Sequence, residues 1–257
     1  GLGSVDYGPV EIIDLNSTSL NLRELGYLTA NDIHFFTGIK EFYFNRRYYS
    51  AVSAEYSKAK IIYVSESKDF RGLKGSIRYL RDRFLDDAKV TRVDAVLAMG
   101  RLGVDWFRSI GYPASKVFEF FYCSSDKPIL KHQGSLSTVY RIAYVGQLIN
   151  RKNVHLLIDA CVKIRESGAN FILDIYGSGP NADEFDFYIR QNNAENYIFL
   201  KGNTPNSNIR EVLDAVDLLV LPSKWDGWGA VVNEALISGS NVIVSDRCGS
   251  SSLANFF

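Results

Sequence analysis

Two carboxylates, Asp226 and Glu234, flank the run Gly227-Trp228-Gly229. The run follows an apolar stretch at 216–221, read as a buried strand. It precedes AVVNEALIS at 230–238, read as a helix. A glycine turn at a helix start brings backbone N–H groups close to an anion. Carboxylates accept hydrogen bonds from vicinal hydroxyls. One acid in the turn and one on the helix therefore suit a phosphorylated sugar or a nucleotide. The plainer alternative is a strand, a turn and a helix with a solvated acid at each end.

Other segments repeat the strand–glycine–helix pattern upstream. RIAYVGQLINRK (141–152) is a strand ending in Gly146, followed six residues later by Lys152. DIYGSGP (174–180) is a strand ending in Gly177, Ser178 and Gly179. Apolar runs predict strands at 10–15, 32–37, 60–64, 94–99 and 116–122, then at 141–145, 171–176, 197–200, 217–221 and 241–245. Helices are expected between them, most clearly at 153–167, 182–192, 208–215 and 230–238, with Asn153 as an N-cap and Gly168 at a C-terminus. This alternation is that of parallel α/β units, whose ligands bind at the carboxyl ends of the strands. The segment 124–138 is poor in large apolar residues and reads as a linker. The expected domains are thus 1–123 and 139–257, each with a doubly wound sheet, facing a cleft.

The chain has 257 residues, with 29 basic and 29 acidic side chains. Zero net charge argues against nucleic acid as the main partner. Cys123, Cys161 and Cys248 lack metal-ligand or disulfide spacing and read as free thiols in a reducing compartment. No run of 18 apolar residues is present. No Asp-x-Asp pair of metal-binding type stands near the glycine turns. Asp183, Glu184 and Asp186 read as a solvated helix face.

Residues 141–246, with the Gly-aromatic-Gly loop between Asp226 and Glu234, the Gly146 turn and Lys152, resemble the donor domain of retaining glycosyltransferases of family 4, the group 1 glycosyl transferases of GT-B fold. That resemblance implies an enzyme of hexosyltransferase type. Its donor is a nucleotide sugar, UDP- or GDP-linked, taken as substrate with no cofactor. Its acceptor is a glycan or a lipid-linked chain in bacterial-type polysaccharide or glycolipid assembly. It implies Lys152 on the diphosphate, Glu234 on the ribose hydroxyls, and Asp226 on the transferred sugar or near its anomeric centre. Gly146, Gly177, Ser178, Gly179, Gly227, Trp228 and Gly229 would lie along the nucleotide, and Asn203 to Pro205 near the base. The resemblance implies no metal, since a lysine and helix dipoles hold the anion in that family. Trp228 reads equally as a packing residue. Gln147 departs from the family's arginine, and Arg151 is the candidate to supply that charge. The family's usual ends are not recognisable, so truncation at both ends is expected. A nucleotide-sugar epimerase and an inactive nucleotide-binding module are the alternatives.

The first half is less explicit. Glu66 ends the strand at 60–64 where many relatives place a cleft histidine, and is a candidate catalytic residue or a plain helix cap. His34 reads as a core histidine. The aromatic stretch 41–56 and the basic stretch 71–92 suit an anionic membrane surface, or else a core and a solvated face offset by Asp82, Asp86 and Asp87. The expected location is cytoplasmic, with peripheral contact at the inner face of the membrane.

Overall fold

The protein is described from a computed structural model that covers residues 33–37, 48–50, 52–54, 58–84, 92–122 and 139–255. The strand expected at 10–15, the linker at 124–138, Cys123, and Arg46, Arg47, Asp86 and Asp87 lie outside these described residues. The chain divides into two compact units, residues 1–64 with 87–96, and residues 65–86 with 97–257.

Four strands, β1 (Ile33–Thr37), β2 (Lys60–Ser65), β3 (Ala95–Met99) and β4 (Val117–Phe120), hydrogen-bond in sequence order. In the first unit His34 is buried beside Tyr48, 3.0 Å from its hydroxyl, and Phe36 packs on Tyr48 and Tyr49. His34 is thus a core histidine, and Tyr48 and Tyr49 pack against that core. Asp94 accepts from the Ile61 N–H (2.9 Å) and from Lys60 (3.1 Å).

The second unit contains helices α1 (Gly72–Phe84) and α2 (Gly100–Ser109) and the second sheet. That sheet comprises β5 (Tyr140–Val145), β6 (Phe171–Tyr176), β7 (Ile198–Gly202), β8 (Leu218–Leu221) and β9 (Asn241–Val244). Its order is β7-β6-β5-β8-β9, and all four pairings are parallel. The helices α3 (Val154–Glu166), α4 (Ala182–Gln191), α5 (Asn206–Asp214) and α6 (Val231–Ile237) supply the crossovers. The inner strands β5, β6 and β8 are largely buried, near-continuous apolar runs, while the edge strands β7 and β9 expose alternate residues such as Phe199 and Ile243. The helices turn period-3.6 faces onto them. In α3, Val154, Leu157, Ile158 and Cys161 are buried; in α4, Phe185 and Ile189; in α5, Ile209 and Leu213. Each large side chain so buried contributes roughly 1.5–3 kcal/mol.

Asn153 does stand at the N-cap position of α3, but in a left-handed conformation (φ 59°) and without a side-chain cap bond; its Nδ2 donates to the Pro222 carbonyl at 3.2 Å. The short 3-10 turn Asn150–Lys152 precedes it. Gly168 does end α3, at φ +89°. Among the described residues no helix is long and apolar enough to cross a membrane.

Candidate functional site

A cavity of about 500 Å³ opens at the carboxyl ends of the second sheet. The turns that follow β5, β6 and β7 supply Gly146 and Gln147, Gly177 and Ser178, and Asn203 and Thr204. Backbone bonds lock these turns together: Gly146 N–H to the Tyr176 carbonyl (3.0 Å), Leu148 N–H to Ser178 (2.9 Å), and Gly177 N–H to Gly202 (2.8 Å). Gly177 has to be glycine, because a Cβ there would lie 1.8 Å from the Gly146 carbonyl oxygen. Gly179 lies off the cavity, beneath the Leu148 carbonyl.

The loop after β8 carries Asp226 into the cavity and is gripped from several sides. Lys224 N–H donates to the Arg151 carbonyl (2.9 Å), and Arg71 Nη1 donates to the Lys224 carbonyl (2.6 Å). Asp226 N–H donates to the Arg247 carbonyl (2.9 Å), and Gly249 N–H to the Asp226 carbonyl (3.1 Å). The Lys152 ammonium forms an ion pair with the Asp226 carboxylate, and both side chains are almost buried. Arg151 does not line the cavity. Its guanidinium donates to the Trp225 carbonyl (2.9 Å), lies over the Trp225 ring and sits 3.9 Å from Asp226.

Glu66 lines the same cavity, and its carboxylate reaches the Gly227 backbone, where a Cβ would lie 1.9 Å from Oε2. Burial, and then the charge of Asp226, push the Glu66 carboxyl above the usual range, against the opposing pull of Arg151 and Lys152. Two acids and two cations thus share one small volume, with Lys152 closest to Asp226.

Glu234 stands on the first turn of α6, as expected. It is half-buried, and among the described residues its carboxylate has no hydrogen-bond or ion-pair partner. Burial alone raises its pKa. Trp228 is buried; its Nε1 donates to Asn233 Oδ1 (2.8 Å), while Asn233 Nδ2 donates to the Tyr122 carbonyl (2.9 Å). It forms cavity wall and packing at once, which joins the two readings of this residue. Gly229, at φ +90°, completes the turn. Gly227 does not line the cavity.

The fold therefore brings Asp226, Lys152, Glu66, Glu234, Gly146, Gln147, Gly177, Ser178, Asn203, Trp228 and Gly229 to one cavity, and leaves Arg151, Gly179 and Gly227 just outside its lining. Thr204, within the stretch expected near the base, lines it too; Tyr122, Tyr176 and Asn206 also line it and were not singled out from sequence. Tyr122 and Tyr176 end the strands expected at 116–122 and 171–176, so the carboxyl-end rule alone could have found them. His155, for which sequence offered no partner, meets Glu184 at 2.9 Å.

Comparison with known proteins matches residues 126–255, half of the chain, to the family model of glycosyl transferases group 1. The amylovoran biosynthesis glycosyltransferase AmsK of Erwinia amylovora is 24% identical over 211 residues, 79% of this chain and 52% of that protein. The chain thus spans about half the length of that relative. Among solved structures, Anabaena HepE in complex with UDP and glucose aligns with a TM-score of 0.60 at 18% identity, over 79% of this chain and 57% of that one. A TarM mutant of S. aureus in complex with UDP and alpha-GlcNAc-glycerol aligns at 0.58 and 19%, over 79% of this chain and 39% of that one. These likenesses bear out the α/β, GT-B-like fold. The chain belongs to the glycosyl transferases group 1 family.

Proposed function

We propose that this member of the group 1 glycosyl transferases moves a hexosyl group, with retention, from a UDP-sugar to a glycan or lipid-linked acceptor in polysaccharide or glycolipid assembly. The observation that carries the reading is Glu234, a half-buried carboxylate with no partner among the described residues, sharing a cavity with the buried cation Lys152. A desolvated carboxylate gains from hydroxyl donors, and the vicinal ribose hydroxyls supply two. The polysaccharide-assembly relative and the UDP complexes of the neighbours support the substrate class.

In this reading the base lies toward Asn203 and Thr204, and the diphosphate lies by Lys152 and the turns at Gly146 and Gly229. An ammonium has three donors, so Lys152 keeps its bond to Asp226 and offers the others to phosphate. As the anomeric C–O bond breaks, negative charge grows on the departing diphosphate, and Lys152 stabilises it without a metal. Asp226 and Glu66 face the transferred sugar, where Asp226 offsets positive charge at the anomeric carbon. The acceptor oxygen forms the new bond on the face the donor leaves, and its proton passes to the released phosphate.

Calorimetry with UDP and GDP, followed by transfer or hydrolysis assays with a panel of nucleotide sugars, tests this. UDP should bind and Glu234→Ala should weaken it. Absence of binding by either nucleotide refutes the donor reading; binding without turnover of any donor favours an inactive nucleotide-binding module.

A further inference from the structure

The charges of the cavity oppose those of the ligand proposed for it. Three carboxylates line it, Glu66, Asp226 and Glu234, and among the described residues that do so Lys152 is the one cation. A nucleotide sugar brings further negative charge on its diphosphate. Like charges in one desolvated space repel. The acids therefore have to stand where the ligand carries no charge, and have to meet hydroxyls there.

In the donor reading the second sheet and its turns take up the base, the ribose and the diphosphate. The rest of the cavity is walled by Asp226 and by two residues from outside that sheet, Glu66 and Tyr122. Tyr122 follows β4 and is 47% exposed. Its carbonyl accepts from Asn233 Nδ2 at 2.9 Å, and its ring lies 6.0 Å from that of Trp228. Burial, and then the charge of Glu66, push the Tyr122 hydroxyl above its usual range, so the two residues are neighbours. The segment that carries Glu66 is tied down. Arg71 donates to the Lys224 carbonyl (2.6 Å) in the loop after β8, and Asp69 holds the same guanidinium at 2.7 Å. Glu66 itself reaches the Gly227 backbone in that loop. An open aromatic ring and a fixed carboxylate thus stand side by side. A pyranose has the complementary surface: its C–H face packs on a ring, and its hydroxyls donate to a carboxylate.

We infer that Glu66 and Tyr122 form the subsite for the transferred sugar, and that the Glu66 carboxylate makes this subsite select neutral hexoses and reject hexuronic acids. This rests on the donor reading and names the sugar class within it. No cation is left over to offset a carboxylate on the sugar. Lys152 is held by Asp226 and, in that reading, by the diphosphate. Arg151 is turned to the Trp225 carbonyl and lies off the cavity lining. Glu66 forms no ion pair among the described residues, so its charge meets whatever the sugar presents.

The test is calorimetry of the 257-residue chain with UDP and with two pairs of donors, UDP-glucose against UDP-glucuronate and UDP-galactose against UDP-galacturonate. Each pair differs only at C6. In the wild type the hexuronate should bind about 100-fold more weakly than its neutral partner, the scale of a like-charge contact. Glu66→Gln should narrow that gap by about tenfold, with Asp226 accounting for the remainder. The gap is a ratio, so a loss common to both sugars divides out. Glu66→Ala should narrow it as well, whereas Glu66→Asp, which keeps the charge, should preserve it. Tyr122→Ala should weaken the neutral donor more than it weakens UDP. Equal binding of hexose and hexuronate by the wild type overturns the inference, and so does a gap that survives both Glu66→Gln and Glu66→Ala. UDP binding without binding of either neutral donor, or an equal effect of Tyr122→Ala on donor and UDP, overturns it too. In each of these cases UDP still binds and the donor reading stands. Failure of UDP and of all four donors to bind refutes the donor reading, and this inference with it.

Discussion

The loop after β8 and helix α6 each place one carboxylate in the same cavity, in opposite circumstances. Asp226 is paired with Lys152, approached by Arg151, and fixed by backbone bonds on both sides. Glu234 is half-buried with no partner among the described residues, and its pKa is raised by burial alone. A paired ion is already compensated, whereas an unpaired one carries a desolvation cost that hydrogen-bond donors would remove. In the proposed reading the contrast separates a place for chemistry from a place for binding, and substitutions at the two should then behave differently.

The largest effect is expected at Lys152. Lys152→Ala should lower turnover by about 10²–10³, the usual loss when one stabilising donor to developing charge is removed. It also leaves Asp226 buried with only Arg151 at 3.9 Å, at a cost of up to about 3 kcal/mol in stability. Adding Asp226→Asn should restore most of the melting temperature and none of the rate. Recovery of both would make the pair a fold element only, and the contrast between the two acids would collapse.

Next comes Glu234. Glu234→Ala should weaken nucleotide binding by about 2 kcal/mol in calorimetry, the worth of hydrogen bonds to a charged group. Glu234→Gln should weaken it too, while raising the melting temperature of the unliganded protein, since no charge is then left unsolvated. A variant that loses stability as well as affinity would show that Glu234 has a structural partner.

A smaller effect should appear in the pH dependence of stability. Glu66 and Glu234 both have folded-state pKa values above the 4.5 of an ordinary glutamate. The folded state then binds more protons than the unfolded state between 4.5 and the raised values. Their favourable contribution is complete below 4.5 and is lost as pH rises through the raised pKa values. Thermal melts of Glu66→Gln with Glu234→Gln should therefore vary less with pH across that window than the wild type, and should be higher at neutral pH. Parallel curves would contradict the assigned burial. The smallest effect is expected from EDTA, which should leave transfer unchanged because Lys152 supplies the positive charge. Loss of activity restored by magnesium or manganese would shift that role to a metal.

The sequence exposed most of the second sheet, because its inner strands are near-continuous apolar runs and the strand limits coincide with polar turns. Phe171–Tyr176 agrees with the expected residues, and β5, β8 and β9 differ by one residue at one end. Gly146, Lys152, Asp226 and Glu234 were legible for a related reason, since each occupies a fixed distance from a strand or helix end. What escaped depends on where side chains point across long sequence separations. Arg151 turns to Trp225 and not to the cavity. Asn153, a residue type that tolerates the left-handed region, holds the N-cap position at φ 59°, without a side-chain cap bond, and donates its amide to Pro222. The nearness of Glu66 to Gly227 joins residues 161 positions apart. The stretch 71–92 was legible as basic, but composition does not say which face of α1 is hidden.

Gly100, Gly227 and Gly249 illustrate how backbone can meet backbone where side chains would intrude. A Cβ on Gly100, at φ +63°, would lie 2.2 Å from the Gly249 carbonyl oxygen, and one on Gly249 would lie 2.2 Å from that of Gly227. In a library of all single substitutions, positions 100 and 249 should therefore tolerate almost nothing, alanine included, although neither lines the cavity. Position 227 should be more forgiving in one respect, because its first obstacle is the mobile end of Glu66, and shortening Glu66 should rescue Gly227→Ala. Such a map would register as intolerance at two sites and epistasis at a third. An observer ranking positions by sensitivity alone would mistake a packing constraint for a reacting residue.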